Sequence, residues 1–388
     1  MENKALERKH KEDKPVLAIC YDFDKTLSPD DMQAQGYIQS VGCEVEDFWK
    51  ESNMLAENND MDQNLAWMFT MKHKADGQIL LTKENLNDYG SKVKLFPGVE
   101  EWFGRIRDYG LQHGVIVEHY IISSGLKEMI EGTKVAKEFE KIYACSFYYD
   151  ENNEAVWPAQ VINYTNKTQF LFRIEKGVLD VNDQGVNEYF SPEEIRVPFR
   201  NMIYIGDSDT DVPCMKLVNK NGGHSIAVFD AETKDKTKAY KMMREERIKY
   251  FVPADYTENS RLDFLVKAII ERTAKNEVLE EIYYKCKKES TEADKKSDDS
   301  EIEKINLVIA LENSGSFAST HEIIRGLSMY SVWSDEMLEQ LFSVAVNNSQ
   351  VRYILGDSDI KAFYTELLSM VKLRSSNAEK VQEILKVN

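Results

Sequence analysis

The stretch Leu17–Leu27, reading LAICYDFDKTL, constrains the fold of this chain more than any other. A short apolar run, Val16 to Cys20, leads into two acids one residue apart, Asp22 and Asp24; Lys25 and Thr26 follow. Apolar runs this short, rich in β-branched and small residues, read as strands buried on both faces of a sheet. Ligands of open parallel sheets bind at the carboxyl ends of the strands, where these two acids would fall. Alternate residues of an extended segment point the same way, so Asp22 and Asp24 can reach one site. The competing reading is an acidic loop after a buried strand, and this stretch alone does not choose between them.

A chain of 388 residues exceeds one ordinary domain, and its hydrophobic share of 42% is enough for a substantial core. The net charge of −18 argues against a nucleic-acid or anionic-membrane binder, which needs a basic face. A small anionic substrate stays open, because one buried lysine and a metal ion can dominate a pocket. The cysteines, Cys20, Cys43, Cys145, Cys214 and Cys286, are odd in number and include no CxxC pair. That usage fits a reducing, cytoplasmic setting rather than a disulfide scaffold or a zinc ribbon. The opening MENKALERKHKEDK has no apolar signal core, and no apolar run approaches the ~18 residues of a membrane span.

Along the chain, residues 28–93 carry helix-like stretches around 31–41, 47–56 and 62–74, with Leu65, Met68 and Phe69 at helical spacing. Pro97-Gly98 opens a helix over 99–109. A second apolar run, HYIIS, leads into Ser123-Ser124-Gly125, and helical pattern resumes over 126–140. Residues 142–162 read as a β-hairpin around the turn 150–153. Lys167 stands near a helix start, and the polar insertion 177–198 has little periodicity. The run Met202–Ile205 is a third buried strand, ending in GDSDTD (206–211), and 225–229 is a fourth. Strands alternating with helices predict an α/β fold with a Rossmann-like parallel sheet. Residues 287–301, almost all charged or small polar, read as a linker. Beyond them, 302–388 show about five or six short helices and no strand.

Three strand ends therefore finish in polar groups: Asp22/Asp24, Ser123/Ser124 and Asp207/Asp211, with Lys167 between the second and third. In a parallel sheet these ends share one edge and converge. Singly each has an ordinary explanation as a cap, a turn or a solvated charge; their joint order is much harder to obtain by chance.

At this point DFDKT, IISS, the later Lys167 and GDSDTD resemble the four ordered motifs of haloacid-dehalogenase-superfamily phosphatases, over roughly residues 16–273. The insertion directly after the first motif resembles the helical cap of the phosphoserine-phosphatase-like branch. The resemblance implies a catalytic core of residues 15–27 and 94–275, a cap over 28–93 and a separate helical domain over 302–388. It implies Mg²⁺-dependent hydrolysis of a small phosphorylated metabolite, with Asp22 as nucleophile and Asp24 as acid and base. The matching metal ligands are Asp22, Asp207 and the backbone carbonyl of Asp24, with Asp211 orienting them. Ser123, backbone N–H groups near Ser124 and Gly125, and Lys167 would hold the phosphoryl oxygens, and Thr26 would steady the loop. A carboxylate nucleophile suits this chemistry because it splits a difficult hydrolysis into two easier steps. A phosphotransferase or phosphomutase on the same scaffold remains open. So does a regulatory protein acting through 302–388, a region that could bind a protein partner or self-associate.

The resemblance thins in the cap. Where phosphoserine phosphatases carry a glutamate for the substrate amine, this chain has Asp31, so phosphoserine is not carried over as substrate. The cap aromatics Phe48, Trp49, Trp67 and Phe69 read first as cap core. A second GDSD, Gly356–Asp359, sits in a helical context without the final acid, and reads as a turn and N-cap. The histidines show no paired ligand spacing, and His119 reads as a core or loop residue close to the second strand end.

Overall fold

The computed structural model describes residues 8–233, 235–294, 300–371 and 375–387. They form two compact units. The first contains the described residues up to Val186 together with Pro192–Val278; the second contains Asn187–Ser191 and the described residues from Leu279 onward.

The first unit is built on strands β1 (Val16–Tyr21), β2 (Ile116–Leu126), β3 (Lys141–Tyr149), β4 (Ala155–Gln160), β5 (Met202–Gly206), β6 (His224–Phe229) and β7 (Tyr250–Pro253). Their order is β4-β3-β2-β1-β5-β6-β7, parallel throughout except for the β3–β4 hairpin. Every residue of β1 is buried, as a central parallel strand covered on both faces requires. Between β1 and the end of β2 lie helices α1 (Tyr37–Ser40), α2 (Val45–Asn58), α3 (Gln63–Ala75), α4 (Lys83–Ser91) and α5 (Val99–Gln112). After β2 come α6 (Lys127–Gly132), α7 (Thr168–Lys176), α8 (Val212–Lys220), α9 (Thr237–Arg244) and α10 (Arg261–Asp294). Helix α5 packs against β2, and α8 against β5 and β6.

Helices α1 to α4 are seated on the sheet by specific contacts. The Asn64 amide donates to the Ile162 carbonyl (2.7 Å), the Asn163 amide to Asp62 (2.6 Å), and the Ala155 N–H to the Leu81 carbonyl (2.8 Å). Helix α4 crosses α6 at two bare backbones. A Cβ on Gly90 would stand 1.9 Å from the Met129 carbonyl oxygen, and one on Gly132 would stand 2.0 Å from that of Asn87. The helix expected over 126–140 accordingly stops at Gly132, where the chain is pinned against α4 instead of continuing. Strand β7 is an addition to the sequence reading; at four residues its run is too short to stand out.

The polar insertion 177–198 is fixed by buried arginines. Arg173 donates to the carbonyls of Asp180 (2.6 Å), Asp183 (3.0 Å) and Val181 (2.8 Å). Arg196 grips Glu118 of β2 with two bonds (2.8 and 2.7 Å), and Lys9 and Tyr120 donate to the same carboxylate at 2.6 Å. Burial alone would push Glu118 up; Arg196 and these partners instead hold its carboxyl down to about 2. A carboxylate depressed on folding stabilises the protein above its ordinary pKa, and that contribution fades as pH falls toward 2. Full loss is worth about 3 kcal/mol. Resistance of the native protein to thermal unfolding should therefore weaken as pH falls from about 4.5 to 2. Glu118→Gln should be less stable at neutral pH, where it strands Arg196, and flatter across that acid window.

The second unit holds α11 (Ser300–Glu312), α12 (Phe317–Leu327), α13 (Asp335–Asn347), α14 (Ser349–Tyr353), α15 (Ser358–Met370) and α16 (Ser376–Val387). They enclose a core that includes Leu311, Ile324, Leu341, Phe342, Leu355, Ile360, Tyr364 and Leu367. Within the expected linker 287–301, α10 runs on to Asp294, because Lys- and Glu-rich sequence is a good helix former even without an apolar face. Residues 295–299 lie outside the described residues. In the second GDSD, Asp357 takes the N-cap position of α15, but its carboxylate does not cap. Asp357 and Asp359 instead bind the two ring nitrogens of buried His321, at 3.1 and 2.8 Å. Among the described residues no helix is long and apolar enough to cross a membrane.

Candidate active site

The sheet order places β1 between β2 and β5, so the polar residues at the ends of all three strands lie side by side. Asp22 is the first residue past β1, and its N–H continues the ladder to the Ile205 carbonyl (2.9 Å). Asp207 is the first residue past β5. The β2–β3 register shifts between Ile122 and Leu126, so Ser123, Ser124 and Gly125 leave regular pairing beside Asp22. Lys167, at the N-cap position of α7, reaches the same point from the far side of the β3–β4 hairpin.

Lys167 is fully buried, and its ammonium lies 3.1 Å from Asp22 Oδ1 and 2.7 Å from Asp211 Oδ1. Burial disfavours its charge, but the two aspartates outweigh that and hold the ammonium charged. Asp211 is fixed on both oxygens. Tyr204 donates to Oδ1 (2.9 Å), and the Ser208 N–H and hydroxyl donate to Oδ2 (3.3 and 3.2 Å). Burial raises the Asp22 carboxyl and nearby Asp211 adds to it, while Lys167 and a hydrogen bond from Ser123 oppose the rise. Asp207 is pushed up to about 8, first by burial and then by Asp211 and Asp22.

Carboxylate oxygens of Asp22, Asp207 and Asp211 all lie within 4.8 Å of one another. Three acids facing one ammonium leave an excess of negative charge, which adds to burial in raising the Asp22 and Asp207 carboxyls. A hard divalent cation with oxygen ligands would relieve it, so the donor set fits such an ion. Asp211, already saturated by Lys167, Tyr204 and Ser208, is placed to orient its neighbours.

Asp24 is held apart from this cluster by the Met32 N–H, which donates to Oδ1 (2.8 Å). Its carboxyl is raised well above the usual range by burial, then by Asp31 and Asp22. A Cβ on Gly125 would lie 2.9 Å from Asp24 Oδ2 and 2.5 Å from Met32 Cε, so a side chain there would displace both groups. The Gly125 N–H donates to Ser123 Oγ (3.0 Å), so it is already engaged. Thr26 acts through its main chain: its carbonyl accepts from the Tyr256 hydroxyl (2.8 Å), while its own buried hydroxyl has no partner among the described residues. Thus Asp22, Asp24, Ser123, Ser124, Gly125 and Asp207 line one cleft, with Lys167 and Asp211 in its floor. His119 lies elsewhere, buried against Tyr21 and Phe103; burial, then Arg107, lowers its pKa to about 3 and keeps it neutral.

No family model matches the chain. It is 26% identical to an uncharacterized protein of Borreliella burgdorferi over 275 residues, covering 64% of this chain and 94% of that protein. Among solved structures, a HAD family hydrolase of Salmonella enterica serovar Typhi is 17% identical with a TM-score of 0.43, covering 67% of this chain and 73% of that one. A substrate-bound phosphoserine phosphatase is 15% identical with a TM-score of 0.41, covering 66% and 99%. A probable phosphoserine phosphatase of Vibrio cholerae is 13% identical with a TM-score of 0.44, covering 68% and 67%.

Sequence reasoning did not find Tyr204, Ser208 or Lys238 as parts of this site. Tyr204 lay inside a buried run as an apparent core residue, although a phenol two residues before the strand end has to place its hydroxyl somewhere polar. Trp49 and Trp67, read first as cap core, also line the cleft, together with Asp31, Gln33, Asn53, Gln63 and Asn64. Phe48 is core as expected, and Phe69 is exposed and stacked on His73.

Proposed function

We propose that this protein hydrolyses small phosphate monoesters through an aspartyl phosphate on Asp22. The observation that carries the reading is the buried Lys167 ammonium held between Asp22 and Asp211, with Asp24, whose carboxyl burial raises, lining the same cleft. An Asp22 oxygen attacks phosphorus while Asp24 gives its proton to the departing alkoxide, so the ester bond breaks as the Asp22–phosphorus bond forms. Asp24, now a carboxylate, takes a proton from the incoming water. That water attacks phosphorus, inorganic phosphate leaves, and Asp22 is regenerated. Lys167, with Ser123 and the main chain of Ser124, stabilises the phosphoryl oxygens as charge develops on them. Asp22, Asp207 and the main-chain carbonyl of Asp24 would hold Mg²⁺, which when bound neutralises phosphoryl charge and screens the carboxylates from one another.

Phosphate release from p-nitrophenyl phosphate and from an alkyl phosphate, with Mg²⁺ and with EDTA, tests this reading. Turnover should appear with Mg²⁺ and vanish with the chelator. Asp24→Asn should lower kcat/KM for the alkyl ester by about 10²–10⁴-fold, the range of general acid catalysis. It should cost much less for the nitrophenyl ester, whose leaving group departs without a proton. Equal losses on both esters, or turnover insensitive to EDTA, would refute the assignment. Label from substrate recovered on an added alcohol instead of as free phosphate would make the enzyme a phosphotransferase.

A further inference from the structure

Two stretches of the cleft lining differ in charge. The segment between β1 and β2 contributes Gln33, Asn53, Gln63, Trp49 and Trp67, all uncharged, together with Asp31. Asp31 is committed to Lys25, whose ammonium meets both of its oxygens at 2.9 Å. The segments that follow β5 and β6 contribute Ser208 and Thr210, and with them Lys238.

Lys238 is the second residue of α9, which packs against β6 and β7. Asp235 fixes the start of that helix by accepting from the Thr237 N–H (2.9 Å). Lys238 is exposed, and its ammonium makes no hydrogen bond or ion pair with any described residue. Its charge acts on two acids, Asp207 and Asp235. Asp207 nonetheless stays pushed up to about 8, so Lys238 does not serve as its counter-ion. Nor does it duplicate Lys167, which is buried in the floor between Asp22 and Asp211. The order β2-β1-β5-β6 puts β6 two strand spacings, roughly 10 Å, from β1, on the side away from Ser123. Lys238 therefore belongs to the part of the cleft that receives the alcohol end of an ester.

Of the cations lining the cleft, Lys25 is held by Asp31, and Lys238 alone is held by no described carboxylate. An anion that reaches it gains a charge-assisted hydrogen bond, whereas a hydroxyl in the same place gains a weaker one. Building on the phosphatase reading above, we infer that the preferred substrate is a phosphate ester whose alcohol carries a second anionic group, a carboxylate or a further phosphate. Lys238 receives that group while the first phosphoryl group meets Asp22. An exposed ammonium here also draws anions toward a cleft lined by acids, in a chain of net charge −18.

The test measures kcat/KM of the full-length protein, with Mg²⁺, on two matched pairs of esters. 3-Phosphoglycerate and glycerol 3-phosphate differ by a carboxylate in place of a hydroxymethyl group. Fructose 1,6-bisphosphate and fructose 6-phosphate differ by a phosphate in place of a hydroxyl. In at least one pair the member with the second anion should exceed its partner by about 10-fold or more, and which pair does so separates carboxylate from phosphate. Lys238→Gln should lower kcat/KM for that ester about 10-fold more than for its partner, and Lys238→Arg, which keeps the charge, should retain most of the preference. Added salt should shrink the preference, because the ammonium is exposed. No preference in either pair, a better rate on AMP than on all four esters, or equal losses on both members of the pair in Lys238→Gln overturns the inference. Equal losses would mean that Lys238 attracts only the phosphoryl group. Turnover of acetyl phosphate, which has almost no leaving group to recognise, leaves the phosphatase reading standing in each of those cases. Failure to hydrolyse acetyl phosphate as well overturns both.

Discussion

Asp22→Asn should reduce phosphate release by on the order of 10³-fold or more, the scale on which loss of a covalent nucleophile is felt. Asparagine fills the same space but carries no anionic oxygen to attack phosphorus. The fold should tolerate it. Asp22 is one of three carboxylates crowded within 4.8 Å, and removing its charge relieves repulsion on Asp207, while Lys167 keeps its shorter bond to Asp211. The variant should therefore unfold at a temperature close to that of the native protein. Turnover within 10-fold of native, in protein of native stability, would remove Asp22 from the mechanism.

The second large effect is expected at Lys167. Lys167→Met replaces a buried ammonium by an apolar chain of similar length, leaving Asp22 and Asp211 facing each other without a counter-charge. Stranding one side of a buried ion pair costs about 3–5 kcal/mol, which lowers the unfolding temperature by roughly 10 °C in a unit of this size. Turnover should fall with it, since the charge that steadies the phosphoryl oxygens is lost. The stability loss should carry a pH signature. Without Lys167 the already raised Asp22 carboxyl is raised further above its unfolded value, so the penalty is largest at neutral pH and shrinks as acid protonates it. Lys167→Arg should not restore the native state, because the site is closed to solvent and shaped for a compact ammonium. A Lys167→Met protein as stable as native across this pH range would contradict the ion-pair account.

What could be read from the sequence follows from which forces act locally. Strands β1 and β5 are central and parallel, and each is a short continuous apolar run; β2 carries Glu118 and His119, but its apolar stretch Tyr120–Ile122 also ends abruptly where polar residues begin. That made both the sheet and its ligand-binding edge visible in one pattern. The β3–β4 hairpin was visible because its aromatics alternate around a polar turn. The shortness of α6 was not, because it is decided by Gly132 meeting the Asn87 carbonyl, a contact made by residues far apart in sequence. The last turns of α10 were not legible because a charged composition carries no helical period, although lysine and glutamate favour helix. The insertion 177–198 carries no period at all. Its order comes from Arg173 and Arg196, whose partners lie on its carbonyls and, for Glu118, on a strand far away in the chain. In the cleft, Asp22, Asp24 and Asp207 stood out because acids at strand ends are conspicuous. Trp49 did not, because an indole at helical spacing looks like core until the fold places it in the cleft lining.

The covalent role of Asp22 is the centre of this account, and chemical trapping addresses it directly. Native protein turning over acetyl phosphate with Mg²⁺ is quenched and reduced with borohydride, which converts an aspartyl phosphate to homoserine; the peptide containing Leu17–Leu27 is then sequenced by mass spectrometry. The account predicts homoserine at position 22, and none there without substrate or in Asp22→Asn. Phosphate released at the native rate with residue 22 recovered only as aspartate, or homoserine found at position 24, 207 or 211 instead, would contradict it.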